Sequence, residues 1–424
     1  MHRTKNFALS TLTALALLAG ASSLAVSADA TPASTAKATK KTPTHFAFSA
    51  RAYGSKATGG KVPTSSGATA YQSIGCTNLA GIRKNNRAAS SDLNGVGQTK
   101  NVATRNWTTL QGGVVASHSS NKTARFTTAQ EGLGELVIKR ITSLSTAFHD
   151  GTGFHTSTKT SVGDITYRAS DGTPQDVDPP TASQDVEIPG VLRISYGGRS
   201  SQITAEGAKA KADGLTILLI PSGTKIRIAH TTAGLTTGVK HGLFQGMAAS
   251  TETRSEDASV ESGPQPLLKM PCLGTKGEIR TKSTSTTQPD PQLGAYEAHT
   301  REMGTQSGDS ANGFTEATIS SANVGAGQLV LSGIVGRVNV TRSAAGLTKN
   351  TDGTTIGSVL VNGQAFALPN LDGFEIPGLV RVDTNIVTEV RNGLDVVSVR
   401  LTFLDGSGRV TDLGHARLAI GPAS

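Results

Sequence analysis

VEIPGVLRI at residues 186–194 and FEIPGLVRV at residues 374–382 are nearly the same nine letters, written twice and 188 residues apart. Proline cannot donate to a β-ladder and fixes φ, while glycine permits the sharp backbone path that follows. Pro189-Gly190 and Pro377-Gly378 therefore predict a corner from which a core strand starts, once in each half of the chain. Glu187 and Glu375 precede the two corners; they read first as turn-stabilising carboxylates and second as ligand or metal contacts.

Other short matches fall in the same order. Cys76 in IGCTNLAGIRKN meets Cys272 in MPCLGTKGEIRTK, Gly134 opens GELVIKRI where Gly327 opens GQLVLSGI, and SVGDI at 161–165 answers TIGSV at 355–359. Gly214 in DGLTILLIPSGTKIRI is set beside Gly393 in NGLDVVSVRLTFLDGSGRV, so the separations run 196, 193, 194, 188 and 179. Such a period is far longer than a solenoid repeat, so each copy needs its own core. The expectation is a first β domain at 45–247 and a second, duplicate β domain at 267–424. The polar stretch 248–266, acidic in its middle and Pro-ended, reads as the linker.

Period-two patterning names the class. In Val380–Arg391 apolar or Thr positions alternate with polar ones, and VSVRLTF at 397–403 repeats the alternation before the Asp405-Gly406-Ser407-Gly408 turn, giving a hairpin with the next run. LTILLI, the Pro221-Ser222-Gly223 turn and TKIRIA make the equivalent hairpin earlier. Helical periodicity is rare, and ITAEGAKAKADG at 203–214 is the single helix candidate. The fold class is therefore all-β: two tandem homologous β-sandwich-like domains with at most one short helix each. With one Trp and five Tyr, their cores must be built mainly from Val, Ile, Leu and Ala.

Residues 1–30 read as a secretory signal peptide, with His2, Arg3 and Lys5 before an apolar run and small residues at the cleavage register; a retained anchor is the alternative. Residues 31–44, rich in Ala, Thr and Lys, read as a disordered segment. The expected location is secreted and extracellular, loosely surface-associated, with no transmembrane segment once the leader is cut. Two cysteines in an oxidising compartment usually pair, so a Cys76–Cys272 disulfide between equivalent positions is expected, with free thiols as the alternative.

The formal charge of +9 favours anionic partners, but basic residues are scattered in sequence and only Lys37, Lys40 and Lys41 cluster. No basic helix interleaved with aromatics appears, so nucleic acid is not an expected partner. No nucleophile elbow is present; Gly308-Asp309-Ser310 lacks framing glycines, and Gly54–Lys61 is out of register for a phosphate loop. His149, Asp150 and His155 form the densest imidazole and carboxylate cluster, better read as a Gly-rich hairpin tip than as a metal site. No catalytic residue, metal ligand or cofactor is assigned.

HFAFSARAYGSKATGGKV followed by SIGCTN, and the closing VVSVRLTFLDGSGRVTDLGHARLAI, resemble the choice-of-anchor P family, exported proteins of high-GC Gram-positive bacteria. The resemblance covers most of the mature chain and implies a cell-surface or secreted protein without a settled activity. Members often carry a C-terminal sorting anchor, whereas this sequence ends at LAIGPAS, which puts surface retention in doubt and carries over no catalytic residue. The leading expectation is a non-enzymatic protein for adhesion, wall association or protein interaction, with an anionic cell-wall polymer or a surface protein as partner. The alternative is a secreted hydrolase with its site between the two domains.

Overall fold

A computed structural model describes residues 40–59, 68–93, 96–128, 134–254, 262–367 and 373–423, and these contain strands and turns but no helix. The first half runs β1 (Thr42–Thr58), β2 (Gln72–Ala80), β3 (Arg83–Asp92), β4 (Gln98–Gln111), β5 (Val114–Thr127), β6 (Glu135–His149), β7 (Phe154–Ser161), β8 (Ile165–Arg168), β9 (Pro174–Val177), β10 (Val186–Ile188), β11 (Leu192–Tyr196), β12 (Arg199–Thr204), β13 (Gly207–Leu219) and β14 (Thr224–Thr237). The second runs β15 (Leu243–Arg254), β16 (Ser262–Lys269), β17 (Arg280–Asp290), β18 (Leu293–Ser307), β19 (Ser310–Val324), β20 (Leu329–Ser343), β21 (Gly346–Asn350), β22 (Ser358–Val361), β23 (Gln364–Ala365), β24 (Phe374–Ile376), β25 (Val380–Val390), β26 (Gly393–Phe403) and β27 (Val410–Gly421).

Sheet A has the order β10-β11-β13-β14-β1-β2 with β12 also on β13, and sheet B the order β3-β4-β5-β6-β8-β9 with β7 also on β6. Sheet C, β24-β25-β26-β27-β15-β16, repeats sheet A; sheet D, β17-β18-β19-β20-β22-β23 with β21 on β20, repeats sheet B. Every pairing is antiparallel. Each sandwich buries its inner faces against one another, so strands alternate between core and outside. In β6 the inward set is Leu136, Ile138, Ile141, Ser143, Ser145 and Ala147.

The likeness extends to local backbone. Asn101 in β4 and Glu297 in β18 adopt left-handed φ of 50° and 49° at matching positions, as do Arg140 and Gly333 (54° and 64°) and Ala229 and Gly414 (56° and 64°). A left-handed residue kinks a strand and re-aims the side chains beyond it. Close approach of the sheets adds a further demand: a Cβ on Gly336 would lie 1.8 Å from the Gly414 carbonyl oxygen of the facing sheet.

Each core is split. In the first sandwich one apolar cluster centres on Phe126, Ile138, Ile194, Ile217 and Ile228, and another on Phe46, Phe48, Val115 and Leu235. Between them lies a polar belt in which Ser117 Oγ donates to Ser49 O (2.8 Å), Ser119 Oγ to Arg51 O (2.6 Å), and Ser145 meets Thr231 (2.9 Å). Small hydroxyl side chains there satisfy themselves on the opposite backbone, as burial requires.

Several expectations are corrected. The helix proposed at 203–214 is instead the end of β12 and the start of β13, with Ala208, Ala210 and Ala212 inward and Lys209 and Lys211 outward. Most of the stretch 248–266 read as a linker is strand: Ala248–Arg254 belongs to β15, hydrogen-bonded to β27, and β16 begins at Ser262, while 255–261 lie outside the described residues. The crossing between sheet pairs is made by Gly238–Gly242, so the first sandwich ends before 247. Thr42–Thr44 already belong to β1; residues 1–39, with the expected signal peptide, lie outside the described residues.

Gly214 is not the counterpart of Gly393. Leu192 opposite Leu219 matches Val380 opposite Phe403, and Gly207 opposite Thr204 matches Gly393 opposite Val390. The true counterpart is Gly207, which restores a separation of 186 in place of 179. Finally, β25 faces the core only at Val380 and Val382; beyond Asn385, at φ 51°, it leaves the sandwich as β12 does after Gly198.

Candidate functional site

The outer face of sheet B gathers what the sequence scatters. Thr104, Asn106, Thr108, Ser117, Ser119, Asn121 and Thr123 point inward, which sends Ala103, Arg105, Trp107, His118, Ser120 and Lys122 outward. Register then assembles three rows across β3 to β7. They read Arg83-Trp107-His118-Thr146-Ser157, Asn85-Arg105-Ser120-Leu144-Lys159 and Arg87-Ala103-Lys122-Thr142-Ser161. These fifteen positions hold five Lys or Arg and no Asp or Glu. Past the Asn101 kink a fourth row, Lys100-Arg125-Lys139, continues the positive charge, and here Glu135 comes within 3.7 Å of Arg125.

At the centre, Trp107 and His118 stack with ring centroids 4.7 Å apart, and the Arg105 guanidinium lies 4.9 Å from the Trp107 centroid. A cation over an indole face is held by the ring quadrupole. His118 is fixed by Thr109 Oγ1 at Nε2 and Thr146 Oγ1 at Nδ1, both 3.1 Å away. Burial, then the charge of Arg105, push its pKa down to about 4, so the imidazole is neutral at neutral pH. Burial and neighbouring Arg83 also lower the pKa of Arg105 from its ordinary value, yet a guanidinium stays charged. Its Nε is buried and has no hydrogen-bond partner among the described residues.

The matching face of sheet D is wired differently. Arg301 stands where Arg105 does, but Glu316 replaces Ser120 and Arg337 replaces Leu144. Glu316 bonds Arg301 at 3.0 Å and Arg337 at 2.7 Å, with Phe314 under both guanidiniums at 5.9 and 4.2 Å. The second sandwich pairs both arginines with one shared carboxylate, whereas among the described residues no carboxylate pairs with the five cations of the first.

The other residues singled out from sequence resolve as follows. Cys76 and Cys272 form a disulfide with Cα atoms 5.2 Å apart. Their places correspond: Ile74 is opposite Ala50, and Met270 N donates to Gly246 O. Pro189-Gly190 and Pro377-Gly378 are the central residues of hairpin turns, closed by Val191 N to Ile188 O and Leu379 N to Ile376 O, each 3.0 Å, with glycine φ of 71° and 73°. Proline then left-handed glycine is the type II pattern. Glu187 pairs across the turn with Arg193 at 2.8 Å, and Glu375 with Arg381 at 3.5 Å. Asp150 caps its own loop through Thr152 and Gly153, which lowers its pKa, and meets His155 at 3.0 Å. Ser310 opens β19 and donates to Ser307 O in a tight turn.

Two histidines also correspond, His230, buried on β14, and His415, half-buried on β27. His230 Nδ1 meets Asp213 Oδ1 at 2.5 Å and Nε2 meets Thr232 Oγ1 at 3.2 Å, an order found in hydrolytic relays. Tyr53 stacks on the imidazole at 4.4 Å, and the two cavities described below border other strands. In the second sandwich His415 bonds Asp395 (2.7 Å) and Glu252 (3.4 Å), with no hydroxyl in reach of the ring among its bonded partners.

The basic face escaped sequence reading because its five cations lie on four strands, and only register brings them into adjacent rows. The exclusion of nucleic acid rested on helices; here basic and aromatic side chains interleave across a sheet instead. No protein-family model matches the chain, and no curated protein matches it.

Proposed function

We propose that this is an exported, non-enzymatic binding protein, descended from one duplicated sandwich, that attaches through the outer face of sheet B to an anionic polymer of the cell envelope. The observation that carries the reading is the uncompensated charge: five cations and no carboxylate over fifteen positions, beside a matched face whose arginines are already paired. A flat array suits a linear partner, because neighbours within a row lie one strand spacing, about 4.8 Å, apart and successive rows lie about 6.8 Å apart along the strands. The resemblance to choice-of-anchor P proteins and the leader-like first thirty residues support an envelope setting.

Attraction of this kind weakens with salt, since polymer counterions released on binding favour the complex most when salt is low. The test is sedimentation with isolated Gram-positive cell walls, before and after extraction of their anionic polymers, at about 50 and about 500 mM salt. Retention on intact walls, release at high salt and a several-fold loss in the Arg87→Gln/Lys122→Gln variant are expected. Absence of retention at low salt, or tighter binding to single-stranded poly-dT than to walls, overturns the assignment.

A further inference from the structure

The β3–β4 and β17–β18 hairpins each border an open cavity, at corresponding places in the two sandwiches. Lys100 opposite Arg125 in the first matches Tyr296 opposite Ser321 in the second, and Gln98 opposite Thr127 matches Gly294 opposite Asn323. The chemistry has diverged. The first cavity, about 320 Å³, is lined by Asp92, Lys100, Arg125 and Glu135 among seven residues. The second, about 670 Å³, has no charged lining residue; Gln288, Gln292, Asn323 and Thr286 surround Tyr296. That volume falls in the ~300–1,000 Å³ range of small-molecule sites.

Tyr296 is a built platform. The left-handed Glu297 kinks β18 just beyond it, and the phenol folds back along its own strand so that its oxygen lies 3.1 Å from where a Cβ of residue 294 would stand. A side chain at 294 would press on the ring and make it give by a few tenths of an ångström. Tyr296 is 41% exposed, and the polar groups around it are carboxamides and hydroxyls. The side chains of Gln288 and Asn323 have no intramolecular hydrogen bond among the described residues, so their donors and acceptors face solvent together.

We propose that this cleft binds a neutral saccharide, one sugar stacking its C–H face on Tyr296 while the Gln288 and Asn323 carboxamides exchange hydrogen bonds with its hydroxyls. An aromatic ring offers an apolar surface with a polar tip, and uncharged amides both donate and accept, which is what a polyol needs. The site is distinct from the basic face of the first sandwich and of opposite character.

The test is affinity electrophoresis of the full chain in gels containing dextran, mannan or a soluble chitin oligosaccharide. Retardation by at least one of these, persisting at about 500 mM salt where charge contacts are screened, is expected. Tyr296→Ala and Gly294→Val should weaken it at least tenfold, Tyr296→Trp should keep it, and all three variants should retain wild-type thermal unfolding and wall binding. Failure of every polymer to retard the protein, retardation unchanged in Tyr296→Ala, or loss at high salt overturns the proposal. Wall binding is scored separately, so its failure and the failure of this cleft are told apart.

Discussion

Ser120→Glu would copy into the first sandwich the residue that neutralises the second. Ser120 stands directly opposite Arg105, and Glu316, its counterpart, holds Arg301 at 3.0 Å. A glutamate at 120 should therefore capture Arg105 and remove one cation from the five on the platform, while adding a charge that repels a polyanion. Taking about 0.7 units of log–log salt slope per contact, as for a flexible single-stranded polyanion, five contacts give a slope near −3.5. Losing one or two flattens it by about 0.7 to 1.4 and weakens binding about tenfold or more at about 50 mM salt, with the gap closing toward 1 M. An exposed ion pair adds at most about 1 kcal/mol to stability, so the variant should unfold no earlier than the wild type, and loss of binding could not be blamed on misfolding. Fluorescence anisotropy with a labelled wall polymer across a salt series reads both affinity and slope. An unchanged slope and affinity would refute the idea that Arg105 and its neighbours make the contact.

Glu302→Gln should stabilise the fold at pH 8 by roughly 1–3 kcal/mol, because the neutral amide escapes the desolvation cost of a buried carboxylate. Glu302 is fully buried, Arg280 bonds only Oε1 (2.8 Å), Oε2 has no partner among the described residues, and burial, partly offset by Arg280, raises its pKa to about 7. Because the folded pKa lies above the unfolded one, wild-type stability should fall as pH rises from about 4.5 to 7 while the variant's should not, which denaturant titrations at several pH values measure. For His415, burial alone would lower the pKa, but the bonds to Asp395 and Glu252 outweigh it and raise it to about 9. Its contribution is then complete below 6.5 and lost as pH climbs through 9, so His415→Gln should flatten the alkaline limb of the same profile. Ala229→Gly should raise stability by up to about 1 kcal/mol by relieving the left-handed backbone that Gly414 occupies freely, whereas Gly336→Ala should cost about 3 kcal/mol or more through its clash with the facing sheet; equal melting temperatures would contradict both.

Much of the fold was legible because period-two alternation and turn residues are local. The hairpins at 221–223 and 405–408, the two Pro-Gly turns and the equivalent cysteines all followed from short stretches. Alanine misled. In Gly207–Asp213 the Ala/Lys alternation is itself period two, but alanine's helix propensity masked it; the small side chain is there because the sheets approach closely. Threonine and serine misled in the same way at 248–254, where Ser250, Thr251 and Thr253 are buried, their hydroxyls bonded to His299 O, Gln265 O and Thr411 Oγ1, and look like a linker only when burial is unknown. The basic face and the Tyr296 cleft depend on cross-strand register, on a left-handed kink and on one glycine, none of which a linear reading can place.

The disulfide joins the sandwiches at a second point beside the Gly238–Gly242 crossing. A body pinned twice cannot let its parts wander as beads on a string. If the two proposed grips both act on one envelope, the second meets a surface already at hand once the first has caught it, and what governs capture becomes local concentration in place of bulk supply. Reducing agents should thus loosen attachment to a wall while leaving the strength of each separate grip untouched.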